Sequence, residues 1–360
     1  MKQLLIIALL ALSLVGASQN NGIQFLNDTI FENVLARAKA ENKLIFIDCY
    51  TVWCGPCKYM DANIFPDEKL GEFHNTHFIN LKYDMEKPYG MVVRKKYGIK
   101  AYPSFLYLDG NGEVIHRFVG STIKPEDFLE VSRKALDTED NFKAVNQRIL
   151  QGDRRASTIS NYLSLNYGAA NADTLVNDHF NLVTDAEKLS NDTWKMMKSH
   201  GTSYNGVAFQ YFKNNRKAYS EAFSSNEVED YLYRVMSNTY RMSPNEYQNL
   251  KNLDPVIFER HQREMNFRKA NGAFSRDKTN KDAWKEYIAR AEEFISGNSP
   301  QAGFINSIAQ DVLANYSTFN DQASVVKALG WVKNALKANP DNKDLTSIQV
   351  ELLKATGGKK

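Results

Sequence analysis

Lys43-Leu-Ile-Phe-Ile-Asp-Cys-Tyr-Thr-Val-Trp-Cys-Gly-Pro-Cys57 is the stretch on which the reading of the chain turns. Its first half, Lys43 to Tyr50, is a short apolar run of strand length, suited to a central strand buried on both faces. Its second half sets two cysteines three residues apart at the predicted start of a helix running to about Phe65. Pro66 breaks that helix, and Asp67 and Glu68 suit the first turn of another. Upstream, Ile30, Val34, Leu35 and Ala38 follow helical spacing. Downstream, His77 to Tyr83 reads as a second strand, and Tyr89 to Tyr97 as a helix closed by Gly98. Ser104 to Leu108 and Glu113 to Val119 form a hairpin around Asp109-Gly-Asn-Gly112. Pro125 opens a last helix with Phe128, Leu129, Ser132, Ala135 and Leu136 on one face. The order βαβαβαββα, counted from Ile23, requires a mixed central sheet with helices on both faces, an α/β fold.

The cysteine placement has a chemical reason. The thiolate, not the thiol, is the nucleophile, and a helix amino terminus favours negative charge. Cys54 at the helix start is therefore expected to be the exposed attacker. Cys57 lies within one turn beneath it and is expected to resolve a mixed disulfide while shielded from substrate. Pro56 fixes the first turn, and Gly55 leaves room for a substrate chain. Asp48, inside a run of Leu, Ile and Phe, is expected to be buried with a raised pKa.

These residues resemble the thioredoxin superfamily over Ile23 to about Leu136. Asp48 sits six residues before Cys54, where the family keeps a buried acid that shuttles the proton of the resolving thiol. Tyr102-Pro103 opens the next strand, where the family has a cis-proline against the active-site disulfide. Asp109-Gly110 and Gly120 fall at the family's hairpin and following glycine. Cys57-Lys58-Tyr59-Met60, followed by Phe65, is similar to a periplasmic branch. That branch includes the soluble carboxy-terminal domain of the membrane electron conductor for disulfide reduction. One departure stands out: the family often places a Lys on the neighbouring strand beside the acid, and the matching position here reads as Asn80. The resemblance implies a catalytic set of Cys54, Cys57 and Asp48. It also implies a redox-active Cys54–Cys57 disulfide and a substrate rim of Trp53, Gly55, Pro56, Tyr102 and Pro103. The Gly-Pro pair between the cysteines implies a reductant, since thioredoxin's potential is about −270 mV against about −120 mV for the strong periplasmic oxidant.

Other readings of these residues exist. Two cysteines can be half of a zinc site, but four-ligand sites need further Cys or His nearby. His74 and His77 have a spacing able to bind metal, or simply end a helix and start a strand. Pro103 can be a trans proline at a strand entry, and Trp53 and Tyr102 can be plain packing. Cys49 points to the opposite face from Asp48 and reads as an inert buried thiol. No metal and no cofactor are expected.

The flanking sequence sets the rest. Lys2, the apolar run Leu4 to Val15 and the small residues Gly16, Ala17 and Ser18 have the layout of a secretory signal peptide over residues 1–18. No cysteine follows for a lipoprotein anchor, and no later segment is apolar enough to span a bilayer. The mature protein is thus expected to be exported and periplasmic. Residues 19–138 form the α/β domain. From residue 139 to 360 strand runs disappear and helical spacings take over, an all-α domain. Ala328, Val332, Ala335 and Pro340 resemble the second helix of a tetratricopeptide repeat, without a clean period upstream. A net charge of +3 gives no pull toward nucleic acid. The expected partners are protein disulfide substrates and a membrane-borne thiol reductant as electron donor, with the helical domain selecting clients or forming a homodimer. The rival from another class is a helical scaffold whose thioredoxin-like domain mainly docks a thiol partner.

Overall fold

The computed structural model describes residues 22–26, 30–238, 242–298 and 300–357. The predicted signal peptide lies outside them. The chain divides into two compact units between Gly201 and Thr202.

The first unit is built on a four-stranded sheet of order β2-β1-β3-β4. Its strands are β1 (Leu44–Tyr50), β2 (Phe78–Asp84), β3 (Ser104–Leu108) and β4 (Val114–Val119). β1 pairs parallel with β2 and antiparallel with β3, and β4 pairs antiparallel with β3. The sheet is mixed, as the element order requires. Among the described residues the expected first strand is a single parallel bridge from Leu26 to Leu81.

Period-two alternation along β1 sorts its side chains between two cores. Ile45, Ile47 and Cys49 pack under α1 (Phe31–Glu41) with Val34 and Ala38. Phe46 turns to the other face, against Met60, Ile64, Phe105 and Phe128. That second face is covered by α2 (Gly55–Tyr59), which continues as a π-helical turn (Met60–Ile64), and by α3 (Glu68–His77). Val93 of α4 (Pro88–Tyr97) joins the first core, and Phe128 and Ala135 of α5 (Pro125–Leu136) join the second. Phe46 is fully buried; truncating such a ring to Ala costs about 3–5 kcal/mol.

The helical pattern begins after α5, but the compact unit does not end there. α6 (Phe142–Leu150) and α7 (Ala156–Leu165) pack against β4. The Phe142 N–H donates to Nδ1 of buried His116 on β4, and the Lys143 ammonium pairs with Glu113 at 2.9 Å. α8 (Ala172–Leu182), α9 (Asp185–Lys188) and α10 (Asn191–His200) complete the unit.

The described elements of the second unit are helical. Turn chemistry punctuates them as expected: Ser243 caps Pro244–Leu253 in a capping box with Glu246, Asp254 caps Pro255–Arg276, and Asn342 caps Lys343–Ala355. On the helix Gln322–Ala338, Ala328 and Val332 are fully buried and Ala335 is partly so. The small-residue face is thus the packing face, against the helices Ala302–Asn315 and Lys343–Ala355. Trp284 and Tyr287 anchor the same core.

Candidate active site

β1 ends at Tyr50, and the chain turns through Thr51-Val52-Trp53 to Cys54. The Cys54 N–H donates to the Thr51 carbonyl at 3.2 Å, which fixes the turn. Cys54 is the N-cap of α2, with Pro56 in the first turn. Its sulfur accepts the Cys57 N–H at 3.1 Å, one of the free donors of the helix start. Cys54 and Cys57 are joined in a disulfide, with Cα atoms 5.3 Å apart. The structure corrects one expectation here. Cys54 is 3% exposed and Cys57 2%, so in the disulfide form the first cysteine is as covered as the second. What stands outside is the rim. Trp53 is 64% exposed, Gly55 and Pro56 are exposed, and a side chain built at Gly55 would meet nothing within 4 Å.

Tyr102-Pro103 enters β3 at the same end of the sheet, since β3 runs antiparallel to β1 with Ser104 opposite Cys49. The peptide bond between them is cis. The Tyr102 ring meets Trp53 edge-on at 5.9 Å between centroids, and the Pro103 carbonyl accepts the Gly120 N–H at 3.0 Å. Gly120 adopts φ +112°, where a side chain would be strained. The Trp53 indole N–H donates to Glu86 at 2.9 Å, which fixes the exposed ring.

Asp48 is 2% exposed. By alternation it shares the Phe46 face, which is the face of the helix carrying the cysteines. Burial pushes its carboxyl up to about 7, against the downward pull of Lys82. Oδ1 of Asp48 has no hydrogen-bond partner.

The lysine beside the acid is Lys82, not missing at Asn80. The parallel register sets Asp48 opposite Lys82 and Phe46 opposite Asn80. Lys82 Nζ lies 3.4 Å from Asp48 Oδ2 and also bonds Asp61, on the π-helical turn. Asn80 belongs instead to a buried network one step down the strand. His74 Nδ1 meets Asn80 Oδ1 at 3.2 Å, and His74 Nε2 meets Ser132 Oγ at 2.7 Å. Burial lowers the His74 imidazole to about 3. His74 is thereby held in the core by Asn80 and Ser132, while His77 caps Phe73 through its carbonyl. Cys49 lies in the opposite core, fully buried, and burial raises its thiol pKa well above the ordinary range.

Sequence reading missed Lys82, Asp61 and Glu86. Asn80 and Lys82 share a strand face, so alternation allows either; only the axial register chooses. Asp61 follows Cys57 by four residues, a same-face spacing that was readable. Glu86 lies in the turn after β2, where no periodicity marks it.

A parallel-plus-antiparallel sheet with a joined cysteine pair at a helix start beside a cis-proline defines a thiol–disulfide oxidoreductase. The family model for a thioredoxin-like domain matches residues 31–136. Thioredoxin AMT13 of Alternaria alternata is 37% identical over 120 residues, 33% of this chain and 92% of that protein. Thioredoxin H4 of Arabidopsis thaliana is 38% identical over 87 residues, 24% of this chain and 68% of that protein. A disulphide-isomerase candidate from Bacteroides thetaiotaomicron, solved in solution, is 44% identical with a TM-score of 0.30; the match covers 33% of this chain and 96% of that one. Through this domain the chain belongs to the thioredoxin family. Among the described residues, no helix is long and apolar enough to cross a membrane.

Proposed function

We propose that the chain is an exported oxidoreductase that reduces protein disulfides through Cys54 and Cys57, with its helical region choosing the partners. The observation that carries the reading is the cysteine pair itself. It caps a helix, beside an exposed Trp53 that meets Tyr102 edge-on, with a buried carboxylate, Asp48, on the helix side of the sheet. The Leu4 to Val15 run supports export.

The reaction balances as follows. The Cys54 thiolate attacks one sulfur of a substrate disulfide, and the other sulfur leaves as a thiolate that takes a proton from water. Cys57 gives its proton to Asp48 and attacks the Cys54 sulfur. The Cys54–substrate bond breaks, the second substrate thiolate leaves, and Asp48 returns the proton to it. Two electrons have passed to the substrate, and Cys54–Cys57 is a disulfide. A membrane-borne thiol reductant restores the dithiol with two electrons and two protons. Trp53, Gly55, Pro56 and the Tyr102-Pro103 backbone receive the substrate chain.

The test is covalent trapping. Cys57→Ser in the full chain removes the resolving thiol, so mixed disulfides on Cys54 should accumulate with exported, disulfide-containing proteins. Wild-type chain should meanwhile reduce insulin in the presence of a small dithiol. No mixed disulfide and no insulin reduction would leave a scaffold that only docks a partner.

A further inference from the structure

Lys82 stands between two carboxylates. It is the register partner of Asp48 on β2, with Nζ 3.4 Å from Asp48 Oδ2, and it bonds Asp61 Oδ1 directly. The two acids are unlike. Asp48 is buried, whereas the Asp61 side chain is 41% exposed. Asp61 follows Cys57 by one helical turn on the same face, so it belongs to the helix of the resolving cysteine. The line Asp61, Lys82, Asp48 thus runs from solvent to the buried acid on the helix side of the sheet.

Two features separate this from a plain ion pair. Asp48 Oδ1 is buried with no hydrogen-bond partner, so Lys82 does not satisfy the acid completely. The ammonium is also walled by rings: it lies 4.7 Å from the Tyr50 centroid and 5.7 Å from those of Phe25 and Phe65. Confined in this way, its main freedom is to lean toward one carboxylate or the other, and its direct bond is to Asp61.

We propose that Asp61 is a positioning residue for the release step: it holds the Lys82 ammonium outward, so that Asp48 keeps enough basicity to take the proton of Cys57. The inference rests on the function proposed above. Charge balance points the same way. Around Asp48, burial and the Asp61 charge raise its proton affinity, and Lys82 opposes them. The other ionisable groups in reach of its charge are Cys49 and Tyr50 on its own strand, and Asp84 stands opposite Tyr50 at the end of β2. On the β3 side its register partner is Phe105, which carries no charge. With Asp61 neutral, Lys82 is free to turn fully onto Asp48. The acid then ionises at lower pH and becomes a weaker base, and a weaker base accepts the thiol proton more slowly.

The test separates attack from release in the full chain. The reduced protein is mixed rapidly with an aromatic disulfide whose thiolate absorbs visible light, over a pH series spanning the Asp48 titration. The first thiolate reports attack by Cys54 and the second reports release by Cys57. Asp61→Asn should move the midpoint of the release profile down by about one pH unit and lower its plateau. Its attack rate should match wild type. Asp61→Glu, which keeps the charge, should restore the wild-type profile, and Lys82→Met should move the midpoint up. An unmoved midpoint in Asp61→Asn overturns the inference. So does an upward move, which would mean that Asp61 merely holds Lys82 against Asp48. A second thiolate that persists in Cys57→Ser would overturn the dithiol function itself, and this inference with it.

Discussion

Replacing Asp48 with Asn should make the protein more stable at alkaline pH and leave it nearly unchanged at acid pH. The carboxyl titrates at about 7 in the folded chain, against an ordinary 3.8. Between those values the folded state binds more protons than the unfolded state, so stability falls as pH rises through that window. Above it the loss is complete. At about 1.4 kcal/mol for each pH unit, the buried carboxylate costs about 4 kcal/mol once ionised. Two effects compete for that number. Lys82 at 3.4 Å favours the ionised acid, and burial disfavours it. Burial is the larger, because the carboxyl is almost fully enclosed in the apolar core. Asn carries no charge at any pH and leaves Lys82 its contact with Asp61. The assay is native-state hydrogen exchange on the oxidised full chain, reading the amides of β1 against pH. The variant-minus-wild-type difference should grow from near zero below about pH 4 to about 4 kcal/mol above about pH 7. A difference that stays flat with pH would refute a titrating buried acid. A variant less stable in alkali would show that the ion pair outweighs desolvation.

Three further outcomes are expected. On brief alkylation of the reduced full chain near neutral pH, Cys54 should be labelled first, because its sulfur lies at the helix start and accepts an amide hydrogen bond; prior labelling of Cys57 or of fully buried Cys49 would sink the assignment. A chain ended after Gly201 should reduce a small generic disulfide at near the full rate while capturing fewer native clients. Ending it after residue 138 should cost several kcal/mol of stability by uncovering β4, and equal melting of the two truncated chains would refute that.

What could be read from the sequence followed local rules. The cysteine pair, the strand before it, the hairpin at Asp109-Gly110 and the helix caps at Ser243, Asp254 and Asn342 are each set by neighbours a few residues away. Asp48 was readable because an acid inside an apolar strand has few places to go. Its lysine was misplaced because pairing register is a long-range quantity. Asn80 and Lys82 lie on one face of β2, and only the alignment of Phe78 with Leu44 decides which of them meets the acid. The helix-start argument describes the free thiolate of Cys54, whereas the 3% exposure belongs to the disulfide form.

The boundary between chemistry and partner choice follows from what β4 requires. Its His116 is 1% exposed, and burial lowers the imidazole to about 4, so it is a neutral ring that needs a donor inside the protein. The Phe142 amide supplies it. Its neighbour Arg117, partly buried, has its guanidinium 3.4 Å from Asn166 Oδ1 and over the Phe142 ring at 5.7 Å. Both contacts come from beyond residue 138. Ending the chain before those helices would return both groups to water and strip the apolar cover from β4, and the lost apolar burial is the cost. The helices up to Gly201 therefore belong to the folding of the redox unit, although their sequence pattern is that of the helical half. The helices beyond Thr202 form a second compact unit with an aromatic core around Trp284 and Tyr287.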